Sequence, residues 1–122
     1  MIGDNINGFN VVFLQGKIQT LSLEDKDSDK PSLRILLVSF HSAKPVGGKV
    51  RYYKLHMPIV FFGRPALKLA QKFKVGDNIL VEGKLRQHES GKYKLIGIHA
   101  DFSDAVYRTI SSDEILDDKG DE

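Results

Sequence analysis

The chain has 122 residues, which suits one compact domain, and it contains no cysteine, which excludes disulfides, thiolate metal sites and cysteine nucleophiles. Its formal net charge of +2 is unevenly distributed, because seven acids and only two cations follow Ser103. Residues 1–102 therefore carry a net charge of +7, and the end of the chain carries −5. A basic body of this kind favours a polyanionic partner.

The sequence has no feature of a membrane or exported protein. No apolar run approaches the roughly 20 residues of a spanning helix, and the first ten residues lack the basic and apolar regions of a signal peptide. We therefore expect a soluble protein that is not exported and has no membrane partner.

Alternating apolar and polar residues predict three strands in the first half of the chain. They cover residues 10–23, 33–41 and 49–62. An acidic loop, residues 24–32, joins the first two strands, and a loop rich in proline and glycine, residues 42–48, joins the second to the third.

The third predicted strand has two different faces. The first is almost continuously apolar and is predicted to point into the core: Tyr53, Leu55, Met57, Ile59 and Phe61. The second mixes rings, cations and small apolar groups, which predicts a functional surface: Val50, Tyr52, Lys54, His56, Pro58, Val60 and Phe62.

The second half of the chain predicts a short helix and a hairpin. The helix covers residues 65–73, with Leu67, Ala70 and Phe73 facing inward. Strands at residues 78–87 and 92–102 form a hairpin that turns at a serine and a glycine.

Five strands with one helix between the third and fourth is the order of an OB-fold barrel. We therefore predict an all-β fold, a five-stranded OB-fold barrel over residues 1–103. An acidic, disordered tail over residues 104–122 is expected to follow it, since apolar residues become sparse there.

Three segments carry short motifs in a fixed order. They are Asn10-Val-Val-Phe-Leu-Gln-Gly16, Met57-Pro-Ile-Val-Phe-Phe-Gly-Arg64 and Lys74-Val-Gly-Asp-Asn-Ile-Leu-Val-Glu-Gly-Lys-Leu-Arg86. Their sequence, order and separation resemble the bacterial-type single-stranded-DNA-binding protein family, often called SSB. A divergent phage, plasmid or organellar member is compatible with this resemblance.

The resemblance implies a sequence-independent binder that protects single-stranded DNA during replication, recombination or repair. It implies a homo-oligomer, either a tetramer or a dimer, that uses a basic groove and stacked aromatic rings. The implied location is the cytoplasm, in association with the nucleoid, and an organellar location is left open. Phe62 matches the family's stacking ring on the third strand, and His56 stands where many members have a tryptophan.

Ten candidate nucleic-acid-binding residues follow from the mixed face, the other rings and the distribution of cations. They are Lys17, Arg34, Phe40, Tyr52, Lys54, His56, Phe62, Lys84, Arg86 and Tyr93. Packing is the alternative role of each ring, and a solvated surface position is the alternative for His56 and for each cation. Because stacking contributes about 1–3 kcal/mol per base, the absence of tryptophan predicts weaker or more salt-sensitive binding than in tryptophan-rich members.

The acidic tail has acids around Ile115 and Leu116 but ends at Glu122, whereas the SSB family ends in apolar residues that recruit replication and repair proteins. Three roles are open for the tail. It recruits such partners, it competes with DNA for the basic groove, or it is only a solvated end.

The sequence contains no phosphate-binding loop, no zinc-protease motif, no nucleophile elbow and no dinucleotide fingerprint. We therefore predict that the protein is not an enzyme and has no cofactor or metal. The rival interpretation is an OB-fold adaptor subunit of a replication or primosome assembly that binds nucleic acid weakly. RNA binding is a third option.

Overall fold

The computed structural model describes residues 8–47 and 49–104, together with residue 115. It contains, in chain order, β1 (Val12–Glu24), β2 (Ser32–Val46), β3 (Lys49–Phe62), α1 (Arg64–Lys72), β4 (Asn78–Gln87) and β5 (Tyr93–Phe102). The strands form a closed barrel in the order β1-β2-β3-β5-β4. The predicted five-stranded OB-fold barrel, with one helix between the third and fourth strands, is confirmed. Within the described ranges, no helix is long and apolar enough to cross a membrane.

Strand pairing is antiparallel except where β3 meets β5. That parallel contact closes the barrel and is short, with Ile59 opposite Leu95 and Val60 opposite Ile96. The longest ladder joins β2 to β3 and extends from Ser32 opposite Phe62 to Val46 opposite Lys49. The β2–β3 pair is therefore the largest regular surface of the molecule.

The core is built from one face of every strand, because alternate residues of a strand point to opposite sides. Its most buried side chains are Ile18, Leu33, Leu37, Ile59, Phe61, Ile79, Val81 and Leu95. The ring of Phe61 lies directly over Gly97, where an added Cβ would be 2.3 Å from the ring. Glycine at this position therefore makes room for the largest aromatic side chain of the core.

Helix α1 covers one end of the barrel. It begins after Gly63, which has a positive φ of 78°, and it ends where the Phe73 N–H donates a hydrogen bond of 2.9 Å to the Leu69 carbonyl. Ala66 and Phe73 are its buried contacts. The prediction for Phe73 is confirmed, whereas Leu67 is only half-buried, because the inward stripe of the helix starts at Ala66.

The predicted loop over residues 42–48 is wrong for most of its length. Strand β2 continues to Val46, and the turn contains Gly47, which has a φ of 63°. A register shift separates Ala43 from Val46 on this strand, and Pro45 lies within it. A proline has no N–H to donate to a ladder, so an interrupted stretch of pairing tolerates it.

Candidate nucleic-acid interface

From His56 to Phe62, strand β3 presents its two faces as predicted, with one exception, whereas residues 51–55 are half-buried on both faces. Ile59 and Phe61 are buried in the core, and Phe62, on the outer face, is 54% exposed. His56 is also exposed on the outer face. The exception is Val60, which the sequence assigns to the functional surface but which is buried.

The neighbouring strand β2 adds a cation and a ring to the same outer face. Residues directly opposite each other in an antiparallel pair point to the same side of the sheet. Arg34 is opposite Val60, and Phe40 is opposite Lys54. The first of these pairs explains the burial of Val60, which lies in the middle of the sheet between β2 and β5.

Strand β1 continues this outer surface on the other side of β2. Lys17 is opposite Val38, which is itself opposite His56. These three residues therefore form one row across β1, β2 and β3. The row brings a cation and an imidazole to the same surface.

The β4–β5 hairpin extends the surface past β3. Val60 is opposite Ile96, and Ile96 is opposite Lys84, so Lys84 shares the outer side of the barrel. Two residues further along β4, Arg86 is opposite Lys94. We call these six outward cations the basic face: Lys17, Arg34, Lys54, Lys84, Arg86 and Lys94.

Lys94 is the member of the basic face that the ten sequence candidates omit. It lines a shallow depression of about 200 Å³ together with Arg34, Leu36 and Pro58. The sequence signal that could have found it is the hairpin itself, because the turn sets Lys94 opposite the candidate Arg86. The depression has an apolar base and a cation at each of two sides.

An acid also lies on this surface. The guanidinium of Arg34 forms an ion pair with the Glu24 carboxylate, with 2.5 Å between Nε and Oε2. The sequence assigned Glu24 to a surface loop, but it is the last residue of β1 and pairs with Ser32. An incoming phosphate therefore has to compete with Glu24 for Arg34.

Tyr93 is the candidate that the structure does not bring to the basic face. Leu85 and its opposite residue Leu95 point into the barrel, so Gln87 and its opposite residue Tyr93 follow the same side by alternation. Tyr93 is half exposed at the start of β5. Its role as a stacking ring stays a prediction.

One residue of the acidic tail is described. Ile115 forms an isolated parallel bridge with Tyr52 on the outer part of β3. The other residues beyond 104 lie outside the described residues, so the predicted disordered tail and its boundary at residue 104 stay predictions. The bridge places part of the tail beside a candidate nucleic-acid-binding residue.

The chemistry of the basic face is that of a binding surface. It combines cations suited to phosphates with one well-exposed ring and two half-buried ones, Phe62, Phe40 and Tyr52. Among the described residues, no three histidines or acids come together as metal ligands. The predicted absence of a metal and of an enzymatic activity is not tested by this.

Several solved structures share the fold. The single-stranded DNA binding protein of Thermus aquaticus has a TM-score of 0.68 and 22% identity, and the match covers 80% of this chain and 52% of that chain. This chain thus spans about half the length of the Thermus protein. The Plasmodium falciparum SSB, solved in complex with single-stranded DNA, has a TM-score of 0.66 and 17% identity over 82% of this chain and 99% of its own.

A third similar structure carries a different name. The PriB protein of Ralstonia solanacearum has a TM-score of 0.62 and 12% identity, and the match covers 78% of this chain and 98% of that chain. No protein-family model matches the sequence, and no curated protein is significantly similar to it. The likeness is thus one of three-dimensional structure, and the chain has the OB fold found in the single-stranded-DNA-binding proteins.

Proposed function

We propose that this protein is a non-enzymatic member of the SSB family that binds and protects single-stranded DNA without sequence preference. The observation that carries the proposal is the set of six cations that point outward from the strands, two of which, Arg34 and Lys94, line one depression, together with the exposed ring of Phe62. The structural likeness to SSB proteins, one of them solved with single-stranded DNA, supports it. Replication, recombination or repair is the proposed setting.

The physical basis of the proposed binding is mainly electrostatic. Each phosphate that a lysine or arginine neutralises releases a condensed counterion, which gives an affinity that is independent of sequence and falls with salt. Stacking on Phe62 adds about 1–3 kcal/mol for one base. With few other exposed rings on this face, we expect phosphate contacts to supply most of the binding free energy.

The tail is proposed to compete with DNA. Its charge is like that of DNA, and the bridge between Ile115 and Tyr52 lies on the strand that carries Phe62. Recruitment of replication or repair proteins by the same tail is the other proposal for it. Both proposals use the acids around Ile115. Binding of a partner to the tail would therefore remove these acids from the DNA-binding surface.

We also propose that the protein is a homo-oligomer, either a dimer or a tetramer. Large apolar side chains are exposed just before β1 and on the outer side of β1 and β4: Val11, Phe13 and Leu80. Multi-angle light scattering of the purified chain tests this, and a monomer at micromolar concentration contradicts it. The proposed location is the cytoplasm, in association with the nucleoid, or an organelle.

A second candidate function is that of an OB-fold adaptor in a replication or primosome assembly. It is favoured by the scarcity of exposed rings, since Phe40 and Tyr52 are half-buried and Tyr93 points away from the basic face. An adaptor of this kind would retain the barrel but bind nucleic acid only weakly. RNA would bind through the same phosphate contacts and ring stacking, and the experiment below also tests RNA binding.

The experiment is a titration of fluorescein-labelled oligo-dT, followed by fluorescence anisotropy at several salt concentrations. The proposed function predicts binding whose log K falls linearly with log salt concentration, with a slope of about −0.7 for each phosphate contacted. Absence of binding below tens of micromolar at low salt favours the adaptor instead. Oligo-rU in a parallel titration separates DNA from RNA preference.

A further inference from the structure

A second concave surface lies outside the basic face. It is a groove of about 580 Å³ between helix α1 and the second half of β5. Pro65 and Leu69 of the helix and Ile98 and Ala100 of the strand form an aliphatic floor. The groove shares no lining residue with the depression beside Arg34. Its size lies in the roughly 300–1,000 Å³ range of binding clefts.

Ile98 is exposed in this groove and lies at an irregularity of β5. Leu95 and Gly97 face the core, so alternation points Ile98 outward, and it is 50% exposed. Gly97 is opposite Gly83 and His99 is opposite Glu82, so Ile98 is an extra residue with no opposite residue on β4. This bulge shifts the alternation, so that Ala100 is buried, and both Ile98 and Ala100 line the groove beside the helix.

The edge of the groove is cationic. Arg64, Lys68 and Lys72 follow one another at intervals of four residues, which places them along one side of the helix. The Lys72 ammonium donates a hydrogen bond of 2.6 Å to Asp101. This bond, together with the Phe102 N–H, holds the pKa of the Asp101 carboxyl below its ordinary value. Arg64 and Lys68 form no ion pair with any residue in the ranges 8–47 and 49–104.

The spacing of these charges matches an extended peptide. Four residues of an α-helix rise by about 6 Å. Alternate residues of an extended chain are about 6.6–6.8 Å apart and point to the same side. Acids at alternate positions of a peptide can therefore pair with Arg64 and Lys68, while the residues between them face the aliphatic floor.

The lining favours peptide over nucleic acid. Bases bind to single-strand-binding surfaces by stacking on aromatic rings. Among the described residues, no phenylalanine or tyrosine lines the groove, and the imidazole of His99 is the one aromatic ring there. An aliphatic floor gives a base no stacking platform but buries leucine or isoleucine side chains well.

We propose that this groove docks an extended segment of a partner protein in which acidic and aliphatic residues alternate. The aliphatic side chains cover Ile98 and Leu69, and the acids pair with Arg64 and Lys68. Because the groove and the basic face have separate linings, the protein holds such a partner while it is bound to DNA. This proposal does not depend on the proposed DNA binding.

The test uses the full chain and a fluorescein-labelled peptide, Asp-Leu-Asp-Leu-Asp-Leu, followed by fluorescence anisotropy. A peptide of the same charge, Asp-Ser-Asp-Ser-Asp-Ser, is the control for electrostatic binding. Since a buried leucine side chain contributes about 1.5–3 kcal/mol, we expect the leucine peptide to bind at least about tenfold more tightly. Equal affinity for the two peptides overturns the proposal.

Two variants with matched controls locate the site. Ile98→Ser and Lys68→Glu should each weaken binding of the leucine peptide by roughly tenfold or more, through lost apolar burial and through like-charge repulsion respectively. Val75→Ser and Lys92→Glu make closely similar chemical changes at exposed positions outside the groove and should leave the affinity within about twofold. Thermal melting of each variant establishes that it is folded.

Competition with oligo-dT provides the remaining outcomes. The proposal predicts that saturating oligo-dT leaves the leucine peptide bound. If oligo-dT displaces the leucine peptide, and Ile98→Ser binds that peptide as tightly as the wild type, the peptide binds to the basic face. This result would overturn the proposal. Loss of oligo-dT binding in Ile98→Ser would assign the groove to nucleic acid and would overturn it equally.

Discussion

The two faces of strand β3 differ sharply in burial at the end of the strand. Phe61 and Phe62 are adjacent in the sequence and chemically identical, yet Phe61 is 1% exposed and Phe62 is 54% exposed. The inner ring packs over Gly97 in the core, whereas the outer ring lies beside a surface rich in cations. The comparison separates residues that stabilise the barrel from residues that are proposed to bind DNA.

The largest expected effect is on stability. Phe61→Ala should lower the free energy of unfolding by about 3–5 kcal/mol, because it leaves a cavity in the core. Phe62→Ala should change it by less than about 1 kcal/mol, because the ring is mostly exposed. Urea unfolding followed by circular dichroism measures both. Equal losses in the two variants would mean that Phe62 is a core residue.

The next effect is on binding. Phe62→Ala should weaken oligo-dT binding by about 1–3 kcal/mol, the contribution of one stacked base. The matched control is Phe102→Ala, since Phe102 is 50% exposed but packs edge-on against Phe73 beside helix α1. Anisotropy titrations at one salt concentration compare them. Similar losses in both variants argue against a stacking role for Phe62.

The cations should change the salt dependence. Arg86→Gln should weaken binding to every DNA sequence alike and make the slope of log K against log salt shallower by roughly 0.7, since one phosphate contact is lost. Lys30→Gln, in the exposed segment between β1 and β2, is the control and should keep the wild-type slope. An unchanged slope in Arg86→Gln excludes this residue from phosphate contact.

Removal of residues 105–122 should tighten DNA binding by about 1 kcal/mol or less at low salt, because an anionic competitor is lost from the neighbourhood of Tyr52. The difference should vanish at high salt, where exposed charges are screened. Titrations of the truncated and full chains at two salt concentrations measure it. Identical affinities at low salt rule out competition by the tail.

The smallest effect concerns Glu24. Glu24→Gln should tighten binding by a few tenths of a kcal/mol, up to about 1 kcal/mol, because Arg34 is released from its ion pair and a repulsive charge is removed. Asp27→Asn removes the same charge from the adjoining exposed loop and controls for net charge. Weaker binding in Glu24→Gln would show that the acid positions Arg34 instead of competing for it.

The regular parts of the barrel could be predicted from the sequence because alternation is a local property. Strands β3 and β4 have the predicted bounds, and burial in β3 follows the sequence pattern from His56 to Phe62 apart from Val60. Alternation gives a wrong prediction where contacts with a neighbouring strand determine the burial or the length of a segment. Val60 is buried by the strands on both sides of it, and the extension of β2 to Val46 depends on pairing with β3.

The candidate site was predictable in its composition but not in its arrangement. Rings and cations on the mixed face of β3 are visible in the sequence, whereas Lys94 joins them only through the hairpin register. The ion pair of Arg34 with Glu24 depends on the register between β1 and β2, and the bridge between Ile115 and Tyr52 joins residues that are far apart in the chain. The bulge at Ile98, which makes Ala100 a buried residue, is not revealed by alternation alone.

The central claim is that the outer face of β3 contacts single-stranded DNA, and the absence of tryptophan from the chain allows a direct measurement. Phe62→Trp and Phe102→Trp each introduce a single tryptophan, on the basic face and beside helix α1 respectively. Titration with oligo-dT should quench the fluorescence of Phe62→Trp in proportion to binding and leave that of Phe102→Trp nearly unchanged. DNA binding without any change in the fluorescence of Phe62→Trp would contradict the account.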